Sequence, residues 1–405
     1  MIRFNKKLYY KYFDLFRISS FLRDSHIESR SRQAMELIKN ADKNGVDLSN
    51  KNQRIGVELD DFLINDINEF IESKTIVYID KYCENVAEWV RDIILPDFLD
   101  LTQLSSIFSS NNICGREDLI ECLSSQSSVD LLGAETTELY QYFIRYTDWS
   151  LYPTQYATKY NDIELLERKY LGVDIKGNFH NHTIFSDGVY SIEELSNIAA
   201  SYQYEYIGVS DHTMTMCGIS DDNIGVQHNV IDIINEINSQ KILKSAECEI
   251  LINGDLDLSM DSLSRLDYTI IAIHKDTNQV RKLAEKRLIK AIESPYANIL
   301  AHPSGRLYKR KVGLCVDMFK IIDACVANRV AIEINGDPDR LDLDPQYIRY
   351  AVDKGAMFTL DSDTHLQNSF KNINNAIHIA CDYNIPVEQC LNTKSYSDLI
   401  SFFRK

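Results

Sequence analysis

The chain has no run of about 18 apolar residues, so no membrane-spanning helix and no membrane partner are expected. Its opening, MIRFNKKLYYKYF, lacks the apolar core and the small-residue cleavage site of a secretory signal, and the expectation is a soluble, cytoplasmic protein. Cys-x-x-Cys pairs are missing too. The nine cysteines are odd in number and scattered from Cys83 to Cys390, which argues against a disulfide framework and against a structural zinc knuckle. There is no Gly-x-Ser-x-Gly elbow, and no cysteine stands in a motif for covalent catalysis. Positive charge is scarce: 43 lysines and arginines face 60 aspartates and glutamates, a formal charge of −17. Indiscriminate binding to nucleic acid is thereby disfavoured, because phosphate backbones are gripped by basic side chains. A nuclease with a local site is not excluded.

The 405 residues, 44% of them apolar, have room for two or three domains with buried cores. Up to about residue 170, apolar side chains recur at helical spacing in LINDINEFIESK, VAEWVRDII and TTELYQYFIRYT, which predicts an all-helical domain over 1–150. The first 55 or so residues carry about twice as many basic as acidic side chains, and 56–170 is strongly acidic. The segment 151–172 reads as a linker. Over 173–405, short β-branched runs alternate with amphipathic stretches at 191–203, 229–241, 278–294, 316–329 and 344–355, and seven such βα units imply a parallel α/β barrel. Ser191 with Glu194 forms a capping box, and Gly355 stands where a left-handed residue would close a helix.

Ligand-type side chains stand at or just beyond the ends of these runs: His180, His182, Asp187, His212, Glu247, His274, His302, Asp363 and His365. A parallel barrel assembles its active site at the C-terminal ends of its strands, and histidines with carboxylates are what metal ions bind there. Alternation along a strand puts His180 with His182, and Asp363 with His365, on shared faces. Glu247 and Glu249 also share a face, and either can reach a metal. Glu333 and Asn335, in the strand without a candidate ligand, are candidates for orienting a histidine's second ring nitrogen. His26, His228 and His378 fall outside the pattern. Mixed nitrogen and oxygen donors suit zinc, manganese or iron better than magnesium. Arg306, in HPSGR, and Lys275, beside His274, are candidates for holding a substrate phosphate, and RLYKRK (306–311) for a basic rim.

Through DIKGNFHNHTIFSDGVYSIEEL, YEYIGVSDHT, ILINGDLDL, HPSGRLYKRK, AIEINGDPDRLDL and DSDTH, about residues 174–376, the chain resembles the PHP (polymerase and histidinol phosphatase) family. The resemblance is nearest to the PHP domain at the C-terminus of bacterial family X DNA polymerases. It implies a distorted (β/α)7 barrel holding three divalent ions: one with His180, His182, Glu247 and Asp363, a second with Glu247, His274 and His302, a third with Asp187, His212 and His365. The family's Gly-apolar-Glu pattern, met loosely by Ser245-Ala246-Glu247, favours Glu247 over Glu249. Residues 1 to about 130 are more faintly similar to the helical start of the same polymerases. There, GVELDD and FLDLTQLSS replace the glycine-rich hairpin turns, and between about residue 130 and the linker there is neither room for a palm nor an Asp-x-Asp pair in a suitable strand, so polymerase activity is not expected.

The resulting expectation is a metal-dependent hydrolase of phosphoester bonds, foremost a 3′ to 5′ exonuclease-like or DNA-end processing enzyme with a role in DNA repair. Its alternatives are a phosphatase for small monoesters and a PHP subunit of a larger DNA-processing or defence complex. Nucleic acid ends or a small phosphate ester are the expected substrates, and the helical half is a candidate contact for a protein partner.

Overall fold

The structure is a computed structural model and describes residues 2–43, 46–50, 53–54, 61–73, 75–84, 86–94, 100–110, 113, 115–146, 152–157 and 169–404. The chain divides into two compact units, residues 1–150 with 309–311, and residues 151–308 with 312–405. In the first, the described residues form nine helices: α1 (Ile2–Phe21), α2 (Ser25–Lys43), α3 (Asp61–Ser73), α4 (Val77–Cys83), α5 (Glu88–Ile94), α6 (Leu101–Ser110), α7 (Arg116–Leu123), α8 (Gln126–Leu132) and α9 (Ala134–Tyr146). Leu8, Tyr12 and Leu15 recur at helical spacing on α1 and bury against Ile38 and Ala41 of α2 and Leu63, Ile67 and Phe70 of α3. The Tyr12 hydroxyl donates to the buried Asp66, so this core carries a satisfied polar pair. The GVELDD and FLDLTQLSS segments lie partly outside the described residues.

The second unit opens on a two-stranded antiparallel hairpin, β1 (Lys169–Tyr170) and β2 (Val173–Asp174). Both ends of the expected linker belong to this unit. Tyr152 and Tyr156 are buried in its core and bond the Pro338 carbonyl and Asp382, and residues 158–168 of the linker lie outside the described residues.

Parallel strands follow: β3 (Gly177–Asn178), β4 (Tyr206–Val209), β5 (Lys241–Lys244), β6 (Glu247–Glu249), β7 (Ile270–Ala272), β8 (Ile299–Leu300), β9 (Ala331–Asn335) and β10 (Phe358–Asp361). They form a three-stranded sheet β3-β4-β5 and a five-stranded sheet β6-β7-β8-β9-β10. Only Ser245 and Ala246 separate β5 from β6. The backbone bonds from Ser245 to Val209 and from Glu247 to Asp211 carry the pairing with the β4 segment through that gap, so β5 and β6 act as one bent strand. The ring closes where His182 N donates to the Thr364 carbonyl and Asn181 pairs with Thr364. Counted so, the described residues build the seven-stranded barrel that the sequence predicts.

Helices α10 (Ile192–Ser201), α11 (Ile224–Ile237), α12 (Met260–Ser264), α13 (Arg281–Ile292), α14 (Met318–Ala327), α15 (Pro345–Asp353), α16 (Ile373–Asp382) and α17 (Tyr396–Phe403) complete the unit. The Ser191–Glu194 capping box is made in both directions, and Gly355 follows α15 at φ +76. The strands are buried on both faces. Ile271, Leu300, Ile332 and Ile334 meet the helices, and Ile270, Ala272, Ile299 and Ala331 meet one another inside the ring together with Leu399 and Phe403 of α17. Phe403 lies against Tyr268, ring centroids 4.8 Å apart, and plugs one end of the barrel. No helix of the described residues is long and apolar enough to cross a membrane.

Candidate metal centre

The face that carries the apolar plug continues along each strand into polar residues. Leu243 leads through Ser245 to Glu247 and Glu249, Ile270 and Ala272 to His274, Ala331 to Glu333 and Asn335, and Thr359 through Asp361 to Asp363. At two positions the alternation breaks. His302 follows the inward Ala301 directly and sits at φ +56, and Asp363 sits at φ +50, left-handed conformations that redirect the chain at the strand ends. His365 therefore reaches the site through a turn rather than by strand pleating, with Nδ1 held 2.9 Å from the Asp363 carbonyl. Two glycines let the loops fold back. A Cβ at Gly188 would lie 2.2 Å from the His182 carbonyl oxygen, and one at Gly218 would lie 1.7 Å from that of His212.

All nine candidate residues converge. Glu247 is the hub: Oε1 lies 2.8 Å from His302 Nε2 and 3.3 Å from His274 Nε2. Oε2 lies 2.8 Å from His212 Nδ1, 3.3 Å from His180 Nε2 and 3.4 Å from His182 Nε2. Asp363 Oδ1 is 3.3 Å from His182 Nε2 and 3.5 Å from His180 Nε2, and Asp187 Oδ1 is 3.3 Å from His365 and 3.7 Å from His212. Four overlapping groups have the spacing to hold an ion: His182-Asp187-His212-His365, His180-His182-Asp363, His180-Glu247-His302 and His212-Glu247-His274. His26 and His378 are exposed elsewhere, and His228 is buried on α11.

The donors fit divalent cations. Both oxygens of Glu247, both ring nitrogens of His182, Nε2 of His180 and of His302, and Oδ1 of Asp363 are buried without a hydrogen bond, close as they lie. Nitrogens and oxygens that crowd together without bonding to one another aim at points between them, and buried polar atoms in that state want a partner. Charge agrees. Burial would raise the Glu247 carboxyl, yet His274, His180 and His212 hold it well below the usual carboxylate range. Burial would also keep His180 and His365 neutral, but Asp363 with Glu333 and Glu247 raises His180, and Asp363 with Asp187 pushes His365 up to about 9. At His302 burial prevails, with Arg340 adding to it, and the ring drops to about 3. The cluster favours the protonated form of three of its histidines, His180, His365 and His274, the last against burial through Glu247 and Glu249, and divalent cations would supply the same positive charge.

Around this set stands a second layer. Glu333 Oε1 is 2.6 Å from His180 Nδ1, and Asn335 Nδ2 donates to Glu333 and to Asp363 Oδ2, each at 3.1 Å. Glu249 turns away from the cluster. Its carboxylate lies 2.8 Å from His274 Nδ1 and accepts from the backbone of His274 and Lys275 and from Arg287. Of the two phosphate candidates, Arg306 bonds Asp344 and the Leu341 carbonyl and stacks on Tyr152, and Lys275 Nζ donates to the Thr215 carbonyl. Arg340, which sequence reasoning passed over, lies at the cluster with Nε 2.9 Å from Asp363 Oδ2. Its only signal was a position seven residues after Glu333 in GDPDRLDL, on a loop whose direction the sequence does not specify.

No family model matches the chain. It is 31% identical over 256 residues to the DNA polymerase/3′-5′ exonuclease PolX of Bacillus subtilis (strain 168), across 62% of this chain and 44% of that one. The chain thus spans less than half of that relative's length. It is 26% identical over 234 residues to a probable phosphatase of Caldicellulosiruptor bescii, across 56% of this chain and 94% of that one. Among solved structures, a histidinol phosphate phosphatase from Lactococcus lactis complexed with zinc, L-histidinol and phosphate aligns with 52% of this chain and 95% of its own. That alignment has 14% identity and a TM-score of 0.39. Similarity to PolX and to the probable phosphatases supports the resemblance to the PHP family of metal-dependent phosphoesterases.

Proposed function

We propose that the barrel hydrolyses phosphoesters with divalent ions held by His180, His182, Asp187, His212, Glu247, His274, His302, Asp363 and His365, and that its substrates are nucleic acid ends. The observation that carries this reading is the convergence on Glu247, whose two oxygens face separate sets of histidines. Bound divalent cations supply Lewis acidity, polarising a phosphoryl group and acidifying water. The chain's own residues do the rest. Glu333 and Glu249 fix the ring orientations of His180 and His274, so the donor nitrogens are presented without rearrangement. Arg340, half-buried, brings its guanidinium to Asp363 through Nε, and the planar fork of that group is suited to phosphate oxygens. Arg306 acts one step further out, tying the loop after His302 to Asp344.

Likeness to PolX supports the nuclease reading, and the exonuclease named there is that protein's. A second reading, a phosphatase for small monoesters, is favoured by the probable phosphatase that this chain covers almost end to end. Hydrolysis of a 5′-labelled single-stranded oligonucleotide with manganese, run beside p-nitrophenyl phosphate, separates the two. A product ladder from the wild type that Asp363→Ala abolishes is expected. Turnover of the monoester alone would replace the nuclease reading with the second, and no turnover with any of manganese, zinc or iron would sink both.

A further inference from the structure

Beside the metal centre is a cleft of about 320 Å³, lined by Thr215, Glu249, Ile252, Asn253, Lys275 and Asp276 among others. Its walls are the loops that follow β4, β6 and β7, the strands that lead to His212, Glu247 and His274. Thr215 is three residues past His212, Glu249 two past Glu247, and Lys275 next to His274. The cleft therefore opens at the same end of the barrel as the centre, and the Glu249 carboxylate is a wall common to both. Its size is that of a small-molecule site, larger than a phosphate needs.

The walls are braced in advance. Arg287 of α13, buried, donates from Nε to the Ile250 and Leu251 carbonyls at 3.0 Å and from Nη1 to those of Lys275 and Asp276 at 3.1 and 3.0 Å. One side chain thus ties the loop after β6 to the loop after β7, and a preformed cleft spares a ligand the entropy of ordering it. On the first loop, Gly254 N closes a turn on the Leu251 carbonyl, with Gly254 at φ +83, and leaves Ile252 64% exposed at the tip. On the second loop, Lys275 is anchored to the Thr215 carbonyl, and Asp276 lines the same cleft. An apolar surface bordered by one donor-rich and one acceptor group suits a flat ring with a hydrogen-bonding edge.

We infer that this cleft takes the nucleobase of the nucleotide whose phosphate reaches the metal centre, a reading that rests on the proposed nuclease function. The test is isothermal titration of the manganese-loaded full chain with 2′-deoxyguanosine 5′-monophosphate and, separately, with 2-deoxyribose 5-phosphate, which keeps the phosphate and lacks the base. The nucleotide is expected to bind about tenfold tighter, and Ile252→Ser to remove most of that ratio, since a ring on an apolar side chain contributes on the order of tenfold. Asp276→Asn, an asparagine at the φ of +52 that this residue type tolerates, is expected to shift preference among the four nucleotides instead. Equal affinity of the two probes, no binding of either at millimolar concentration, or an unchanged ratio in Ile252→Ser would overturn the assignment. Oligonucleotide hydrolysis without base dependence would remove the cleft alone. Base-dependent binding without hydrolysis would remove the nuclease reading alone.

Discussion

Glu247 and Glu249 are chemically the same and two residues apart on one strand, yet they do different work. Glu247 points both oxygens at histidine nitrogens, and Glu249 grips the outer nitrogen of His274 from behind. Glu333 does the same for His180. Such an outer carboxylate fixes tautomer and ring angle, and its loss costs roughly 10 to 100-fold in metal affinity or activity. Glu333→Gln is therefore expected to weaken metal binding by about that factor with a folded barrel, measured by metal content after dialysis and by circular dichroism. Arg340→Met is expected to lower kcat/KM by on the order of 100-fold while metal content holds, because it removes donors aimed at the substrate rather than a ligand. Arg306→Met, by contrast, is expected to lower Tm more than kcat, since its partners are Asp344, the Leu341 carbonyl and Tyr152. Steady-state kinetics with metal analysis on the same samples separates the two arginines.

At the scale of elements, the strands stop short and the residues beyond them turn. β8 ends at Leu300 and β10 at Asp361, and the left-handed residues His302 and Asp363 follow within two positions. Period-two reasoning from the sequence put Glu247 with Glu249 and Asp363 with His365 on shared faces; in the structure Glu247 and Asp363 lie in the cluster and Glu249 turns to the outer nitrogen of His274. That reasoning had no means of predicting that His302, out of phase by one residue, returns to the site. The capping box at Ser191 and the glycine after α15 were legible because capping is local chemistry within four residues. The role of α17 was not, because its partners Phe179 and Tyr268 lie far away in sequence. Phe403→Ala should leave a cavity at the plugged end and cost about 3 to 5 kcal/mol. Urea unfolding checks that figure, and a loss below about 1 kcal/mol would mean that α17 is dispensable.

For the molecule as a whole, the two units have separate hydrophobic cores, one of helices and one of barrel. Metal bound to the folded barrel and not to the unfolded chain stabilises it by about 2.7 kcal/mol at a hundredfold excess over Kd. Chelation is accordingly expected to lower the calorimetric transition of the barrel and to leave that of the helical unit in place, with the shift reversed by added manganese. Coincident shifts of both transitions would show that the units unfold as one.

Seven βα periods, a helical first half and a set of histidines and carboxylates at strand ends are short-range patterns, and the sequence alone determined them. Which side chains meet depends on closing the ring, since His182 and Thr364, or His180 and Glu333, become neighbours only when the strands of the second half complete the barrel begun by the first. Tertiary structure therefore decided that Glu247 is the hub and Glu249 its support, that Arg340 rather than Arg306 stands at the centre, and that a cleft opens beside it. Those outcomes rest on the direction of single side chains at strand ends and on loops, where hydrophobic periodicity stops and distant backbone contacts set the conformation.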